Sequence, residues 1–304
     1  ARRERKGHFG ELVQLDGSHH SWFGGKHARA CLMNMVDDAT GTTLSLMAEE
    51  ETTEAAMRVL WLWIERYGVP KALYTDRKSV FVTDREPTIE EQLADVEPST
   101  AFGKACEKLG IEIIAANSPQ AKGRVERNHG VYQDRFVKDL ALEGITTIDG
   151  ANEFLAGGFV DKLNTKFAKE PRENKDYHRP VPKGLKLDEV FSIEETRVVM
   201  NDWTISRNRR LMQILEDNRP LPRPKDKVTV RTLLDGEIQL IHRGRKLKFQ
   251  PVAASESPSS KSAKQKDAAN GASSAGTDAG NKSRIPSKTH PWRRNYKLLW
   301  GGKR

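Results

Sequence analysis

The hydrophobic and polar positions fall into short blocks whose periods alternate. Glu11 to Asp16 reads as a first strand, closed by an acid. Gly17-Ser18 and Gly24-Gly25 bracket a loop or hairpin that holds His19, His20 and Trp22. Ala30 to Val36 is a nearly continuous apolar run, the pattern of a strand buried on both faces. Asp37-Asp38-Ala39-Thr40-Gly41 makes a turn, and Thr42 to Ala48 forms a third strand. Thr52 or Thr53 then caps a helix carrying Ala55, Ala56, Val59, Leu60, Trp63 and Ile64 at helical spacing, which ends at Tyr67-Gly68-Val69-Pro70. Lys71 to Thr75 is a fourth strand with Asp76 at its end, Phe102 to Leu109 a second helix, and Ile111 to Ala116 a fifth strand. Between them the acidic, proline-bounded stretch Thr83 to Ser99 reads as an insertion. A third helix spans Gly123 to Leu140, and residues 151–168 are helical by pattern. Three strands followed by alternating helices and strands predict an α/β fold with a mixed five-stranded sheet and flanking helices over 11–168.

The period changes beyond a polar, proline-containing connector at 169–190. Arg197 to Ile205, Leu211 to Leu215, Lys227 to Leu233, Glu237 to His242 and Lys246 to Val252 are short strand candidates. Turns at Asp235-Gly236 and around Gly244 favour hairpins, and 191–252 is expected to form a small SH3-like β-barrel. Residues 1–10 read as a basic arm or linker. Residues 253–285, rich in Ser, Ala, Lys and Gly, are expected to be disordered, and 286–304 form a basic tail with Trp292, Tyr296 and Trp300.

Charge sharpens this division. The net charge of +9 is uneven: residues 1–200 hold 28 Lys and Arg against 33 Asp and Glu, and residues 201–304 hold 23 against 9. A basic C-terminal part suits a polyanionic partner, because Lys and Arg contacts to phosphates release counterions. In the barrel, Trp203, Arg207, Arg209 and Arg210 make the best patch for contact with a nucleic-acid backbone. The two cysteines, Cys31 and Cys106, sit in apolar runs and read as reduced core thiols of a cytosolic protein, not as a disulfide or zinc site. No apolar run reaches the roughly 18 residues of a membrane span, and no secretory signal opens the chain. The opening Ala1 in place of Met predicts a fragment of a longer chain.

Three carboxylates carry the candidate chemistry. Asp16 and Asp76 close strands, and Glu126 lies in Ser118-Pro119-Gln120-Ala121-Lys122-Gly123-Arg124-Val125-Glu126-Arg127-Asn128-His129, which opens a helix. If the first and fourth strands are neighbours, Asp16 and Asp76 approach within metal-bridging distance and Glu126 joins them from the helix beside. Hard divalent cations prefer such oxygen ligands, and a pair of them activates a water or a 3′-hydroxyl while stabilising the leaving oxygen at a phosphodiester. Asp37 and Asp38 are rivals better suited to turn and capping duty. His19 and His20 are adjacent on a strand, so they face opposite ways and do not easily share one site. Around Glu126, Gln120, Lys122, Arg124, Arg127 and His129 are candidate DNA contacts, since a helix N-terminus favours an anion.

Leu15-Asp16-Gly17, Tyr74-Thr75-Asp76 and the run from Asn117 to Arg127 closely resemble the catalytic core of DDE transposases and retroviral integrases. The likeness is closest to bacterial insertion-sequence transposases of the ISNCY type, and Glu49 to Ala56 and Arg66 to Pro70 strengthen it. It covers about residues 11–250. The resemblance implies an RNase H-like fold, with Asp16, Asp76 and Glu126 as the catalytic, metal-binding triad using two Mg²⁺ or Mn²⁺ ions. It also implies cleavage at transposon ends, transfer of the 3′-hydroxyl into target DNA, double-stranded DNA as partner, a homo-oligomer on DNA, and a cytoplasmic, nucleoid-associated bacterial protein. The 49 residues between Asp76 and Glu126 exceed the integrase interval, and the insertion accounts for the excess. The N-terminal helix-turn-helix region usual in such transposases is absent from this sequence. The alternative is a catalytically idle DNA-binding or regulatory derivative of such an element; hydrolysis of RNA–DNA hybrids is a third reading, opposed by the basic barrel.

Overall fold

The structure, a computed structural model, describes residues 4–24, 30–83, 85–93, 95, 97–116 and 123–252, and these form two compact units. The first comprises residues 4–193 with Leu233–Asp235. Its strands β1 (Val13–His20), β2 (Ala30–Asp37) and β3 (Thr43–Ala48) make an antiparallel meander. Helix α1 (Thr53–Tyr67) leads to β4 (Ala72–Thr75); short α2 (Ile89–Leu93) and α3 (Ala101–Leu109) precede β5 (Glu112–Ala115). β4 runs parallel to β1, and β5 parallel to β4, giving the mixed order β3-β2-β1-β4-β5.

β2 explains why both faces are covered. All eight of its residues are buried. Cys31, Met33 and Met35 join one core with α1 and α3, including Leu60, Trp63, Phe102 and Leu109. Ala30 and Leu32 point the other way, into a core with Tyr132, Phe136 and Leu140 of α4 (Gly123–Leu142). That second core continues through α5 (Ile148–Phe154), a π-helical turn (Leu155–Phe159) and α6 (Val160–Phe167). The 151–168 stretch expected as one helix is thus broken, because Gly158 adopts φ +118, which glycine tolerates and other residues rarely do.

Two asparagines finish the sheet at β3. Asn152 of α5 accepts from Met47 N (2.7 Å) and donates to Met47 O (2.9 Å). Asn164 of α6 accepts from Thr43 N (2.7 Å) and donates to Thr43 O (2.9 Å). Each side-chain amide stands in for the next strand, satisfying outer backbone groups that an edge strand leaves open.

The polar stretch expected as a connector is laid against the first unit. Glu173 N donates to Gly7 O, Tyr177 N to Phe9 O, and Arg179 exchanges backbone hydrogen bonds with Val69 (2.8 and 2.9 Å). His178 packs among Phe9, Trp63 and Tyr67. The Trp63 indole can only donate, so His178 Nε2 accepts from it (3.0 Å), leaving the ring proton on Nδ1 toward Asp176 Oδ1 (2.7 Å). The short helix α7 (Leu187–Val190) follows.

The second unit, Glu194–Thr232 with 236–252, holds two small antiparallel sheets. Strands β6 (Ser192–Val198), β9 (Lys227–Leu233), β10 (Ile238–His242) and β11 (Arg245–Leu247) are ordered β11-β10-β9-β6; β7 (Thr204–Arg207), β8 (Arg210–Ile214) and β12 (Phe249–Val252) are ordered β12-β8-β7. Val199, Ile205, Met212, Val228, Val230 and Leu240 form their shared core. The two-residue turns Asn208-Arg209 and Arg243-Gly244 both carry positive φ at each position, the backbone twist that tight hairpins require.

Burial holds the His178 pKa below its ordinary 6.5, outweighing the opposing pull of Asp176. With the folded pKa below the unfolded one, the neutral ring's contribution is intact above about 6.5 and is lost as pH falls through the depressed value. Urea midpoints measured between pH 7.5 and 5 should therefore fall, and His178→Gln should flatten that part of the slope.

Candidate metal centre

The centre begins with strand register. Val13 pairs with Leu73 and Gln14 with Tyr74 in the parallel β1–β4 ladder. Two positions further along, Asp16 lies level with Asp76, immediately past the end of β4. A third carboxylate joins them, and the sequence pattern had not singled it out. Glu51 lies just before Thr52, whose side chain caps α1 by accepting from Ala55 N (3.2 Å). Oxygen atoms of Asp16, Glu51 and Asp76 all lie within 4.8 Å of one another.

Lys78 binds this group from the loop after β4. Its Nζ donates to Glu51 Oε2 (2.5 Å) and lies 3.3 Å from Asp76 Oδ2, while its backbone N donates to Asp76 Oδ1 (3.1 Å). Burial pulls the ammonium down, but the Glu51 bond and the charges of Glu51, Asp76 and Asp16 prevail, and its pKa is pushed up to about 12. His19 Nε2 is 3.8 Å from Glu51 Oε2, and His20 instead lies edge-on to Trp22, so the two histidines do part as strand alternation requires. Cys31 also lies near Glu51. Burial, then Glu51 and Asp16, push its thiol up to about 12; protonated, it is a poor ligand, and the oxygen set is the one suited to a hard divalent ion. Cys31 and Cys106 are both free and buried.

Gly17 makes room for the third acid. A Cβ there would sit 2.6 Å from Glu51 Oε2 and 2.9 Å from Cys31 Sγ. A cleft of about 1040 Å³ opens beside the acids, lined by His19, Phe23, Glu49, Glu50, Glu51 and Lys78 among others.

Glu126 stands in the first turn of α4, exposed, and is not among the three clustered acids. Two anchors place its turn over β1 and β2. Gln14 Oε1 accepts from Val125 N (3.1 Å), and Asn34, the cross-strand partner of Asp16, donates to Asn128 Oδ1 (2.7 Å). Asp38 completes the first anchor: its Oδ1 accepts from Gln14 Nε2 (2.9 Å) and Arg124 Nη1 (2.7 Å). The turn duty expected of both aspartates falls to Asp37, which accepts from Thr40 N, Thr40 Oγ1 and Gly10 N. Asp38 pairs with the partly buried Arg124 and also accepts from Lys6 N (2.8 Å).

The expected DNA contacts divide. Arg124 and His129 face inward, at 13% side-chain and 8% residue exposure. Arg127 is exposed and bonds its own helix at Gly123 O. Gln120 and Lys122, like the 253–304 tail, lie outside the described residues. In the second unit Arg209 and Arg210 are exposed on the β7–β8 hairpin, Trp203 is exposed beside Pro222, and Arg207 is held by Glu195 (3.2 Å). Among the described residues no helix is long and apolar enough to cross a membrane.

No protein-family model matches the chain. The Sinorhizobium fredii protein y4bF, named as a transposase, is 35% identical over 250 residues, 82% of this chain and 53% of that protein. The transposase for insertion sequence IS1202 of Streptococcus pneumoniae is 34% identical over 171 residues, 56% of this chain and 36% of that protein. Over the residues matched, the chain is similar in sequence to these two transposases. It spans about half the length of y4bF and a little over a third of the IS1202 transposase. The dimeric HTLV-2 integrase catalytic core in complex with magnesium aligns to 57% of this chain and all of that core, at 19% identity and TM-score 0.41. The simian T-cell lymphotropic virus intasome with a phosphatase regulatory subunit covers 83% of this chain and 82% of its own, at 17% identity and TM-score 0.42.

Gly17→Ala, which forces Glu51 or Cys31 to move, should cost about 1–3 kcal/mol in urea unfolding. Asp38→Ala removes the carboxylate that holds Arg124 and Gln14 and should cost about 1–3 kcal/mol in urea unfolding, with faster amide exchange at the start of α4.

Proposed function

We propose that the chain is the catalytic region of a DDE transposase with an RNase H-like core. In this reading Asp16, Asp76 and Glu126 are the catalytic acids and hold Mg²⁺ or Mn²⁺, two ions together, on double-stranded DNA. The single observation that carries it is the level placement of Asp16 and Asp76 on adjacent parallel strands. The donor set fits: clustered carboxylates, a protonated thiol beside them, and a lysine ammonium among the acids where a cation belongs. When bound, the ions supply Lewis acidity at the phosphodiester and lower the pKa of an attacking oxygen. The chain's own part is positional. β1 and the end of β4 hold two acids, and the anchoring of the start of α4 by Gln14 and Asn34 supports reading Glu126, in its first turn, as the third.

The substrates are transposon ends and target DNA, with the 3′-hydroxyl transferred into the target. Joining two ends coherently calls for a homo-oligomer on DNA. The two sheets of the second unit share one core, which supports reading them as an SH3-like barrel. Arg209, Arg210 and Trp203 on its surface, with Arg207, and Gln120, Lys122 and Arg127 at α4, are the proposed backbone contacts. A protein acting on chromosomal DNA in this way would work in the bacterial cytoplasm, at the nucleoid.

Nicking of supercoiled DNA in Mn²⁺ or Mg²⁺ tests the assignment. Asp76→Asn should lose about a hundredfold or more in rate while gel-shift affinity for DNA stays within about twofold. Nicking by Asp76→Asn at the wild-type rate would refute the site.

A further inference from the structure

We infer that Glu51 is a further carboxylate of the metal centre, with the Lys78 ammonium standing in for the cation in the metal-free chain. The inference rests on reading Asp16 and Asp76 as metal-binding acids and adds a residue from outside the proposed triad.

Proximity is the first ground. Glu51 supplies an oxygen within 4.8 Å of those of Asp16 and Asp76, from the β3–α1 connection, a third direction of approach. Burial is the second. The Glu51 side chain is 5% exposed, and its Oε1 is buried without a hydrogen-bond partner among the described residues. A carboxylate oxygen withdrawn from water without a donor is expensive, and such groups in folded chains mark a missing partner. A cation is the partner a carboxylate oxygen accepts most strongly in a site of low dielectric.

Charge gives the third ground. Asp16, Glu51 and Asp76 bring three negative charges, and Lys78 answers with one positive charge shared between Glu51 and Asp76. The two partners differ in freedom. Lys78 is 46% exposed on a flexible stem, so its ammonium can withdraw into water. Glu51 is fixed, seated in the space that a side chain at position 17 would occupy and one residue before the α1 cap. An arriving divalent ion would displace the Lys78 ammonium from Glu51 and Asp76, and the acids would already be gathered. A merely structural Glu51 would serve as counter-ion to Lys78 and nothing more; the orphaned Oε1 is what that role leaves unexplained.

The test is a titration of the full 304-residue chain with Mn²⁺ alone, free ion being counted by electron paramagnetic resonance, and folding checked by metal-free urea unfolding. Glu51→Gln should weaken Mn²⁺ binding about tenfold or more, Lys78→Met should tighten it several-fold, and the neighbouring Glu49→Gln should change it by less than about twofold. Wild-type affinity in folded Glu51→Gln overturns the inference. If Asp76→Asn then still abolishes binding, the two-aspartate site stands and only Glu51 is excluded; if Asp76→Asn also binds normally, the underlying reading falls with it. Should Glu51→Gln not fold, Glu51→Asp decides, since it keeps the charge but withdraws the oxygens by one methylene: weakened binding supports the inference, unchanged binding overturns it.

Discussion

The parallel pairing of β1 with β4 is the constraint on which the rest of the first unit depends. Two acids 60 positions apart in the chain are brought level by backbone hydrogen bonds alone, before any side chain makes a contact. Parallel neighbours require a crossover, here α1, whose apolar stripe and threonine cap also seat Glu51 beside the strand ends. A slip of one residue in that ladder would turn Asp16 to the opposite face. The buried faces of Val13 and Leu15 on one side and the Gln14 anchor on the other oppose such a slip.

Above that ladder, α4 is placed by polar groups as well as by its apolar stripe. Gln14, Asp38 and Arg124 form one buried linkage, and Asn34, Thr43, Ser45 and Asn128 form another. Apolar packing through Tyr132, Phe136 and Leu140 gives the helix adhesion but tolerates sliding; directional hydrogen bonds at Val125 and Asn128 fix where its first turn stops. That first turn carries Glu126.

Much of this was legible in the residues because period and burial speak loudly there. The unbroken apolar run of β2 and the Thr-capped stripe of α1 each have a strong local cause. The first strand, expected to close at Asp16 with a loop or hairpin after it, instead continues as β1 to His20, because Gly17 to His20 pair with Ala30 to Met33 of β2. Glu51 was not legible: within Glu49-Glu50-Glu51 it looks like any solvated acidic approach to a helix, and only tertiary packing against Gly17 distinguishes it. Arg124 and His129 share that difficulty. Helical spacing gives their relative bearings, but which bearing faces the sheet is decided by the Asp38 carboxylate and the Tyr132 stripe. The break at Gly158 and the docking of 173–179 on Val69 and Phe9 likewise depend on partners distant in sequence.

The amides of Asn152 and Asn164 carry a consequence for how copies of the chain can meet. Because they already occupy the outward donors and acceptors of Met47 and Thr43, the β3 margin has no vacant ladder positions at those two residues. A visiting strand would have to evict both amides at once, so continuous sheet growth from one molecule into the next is blocked on that flank.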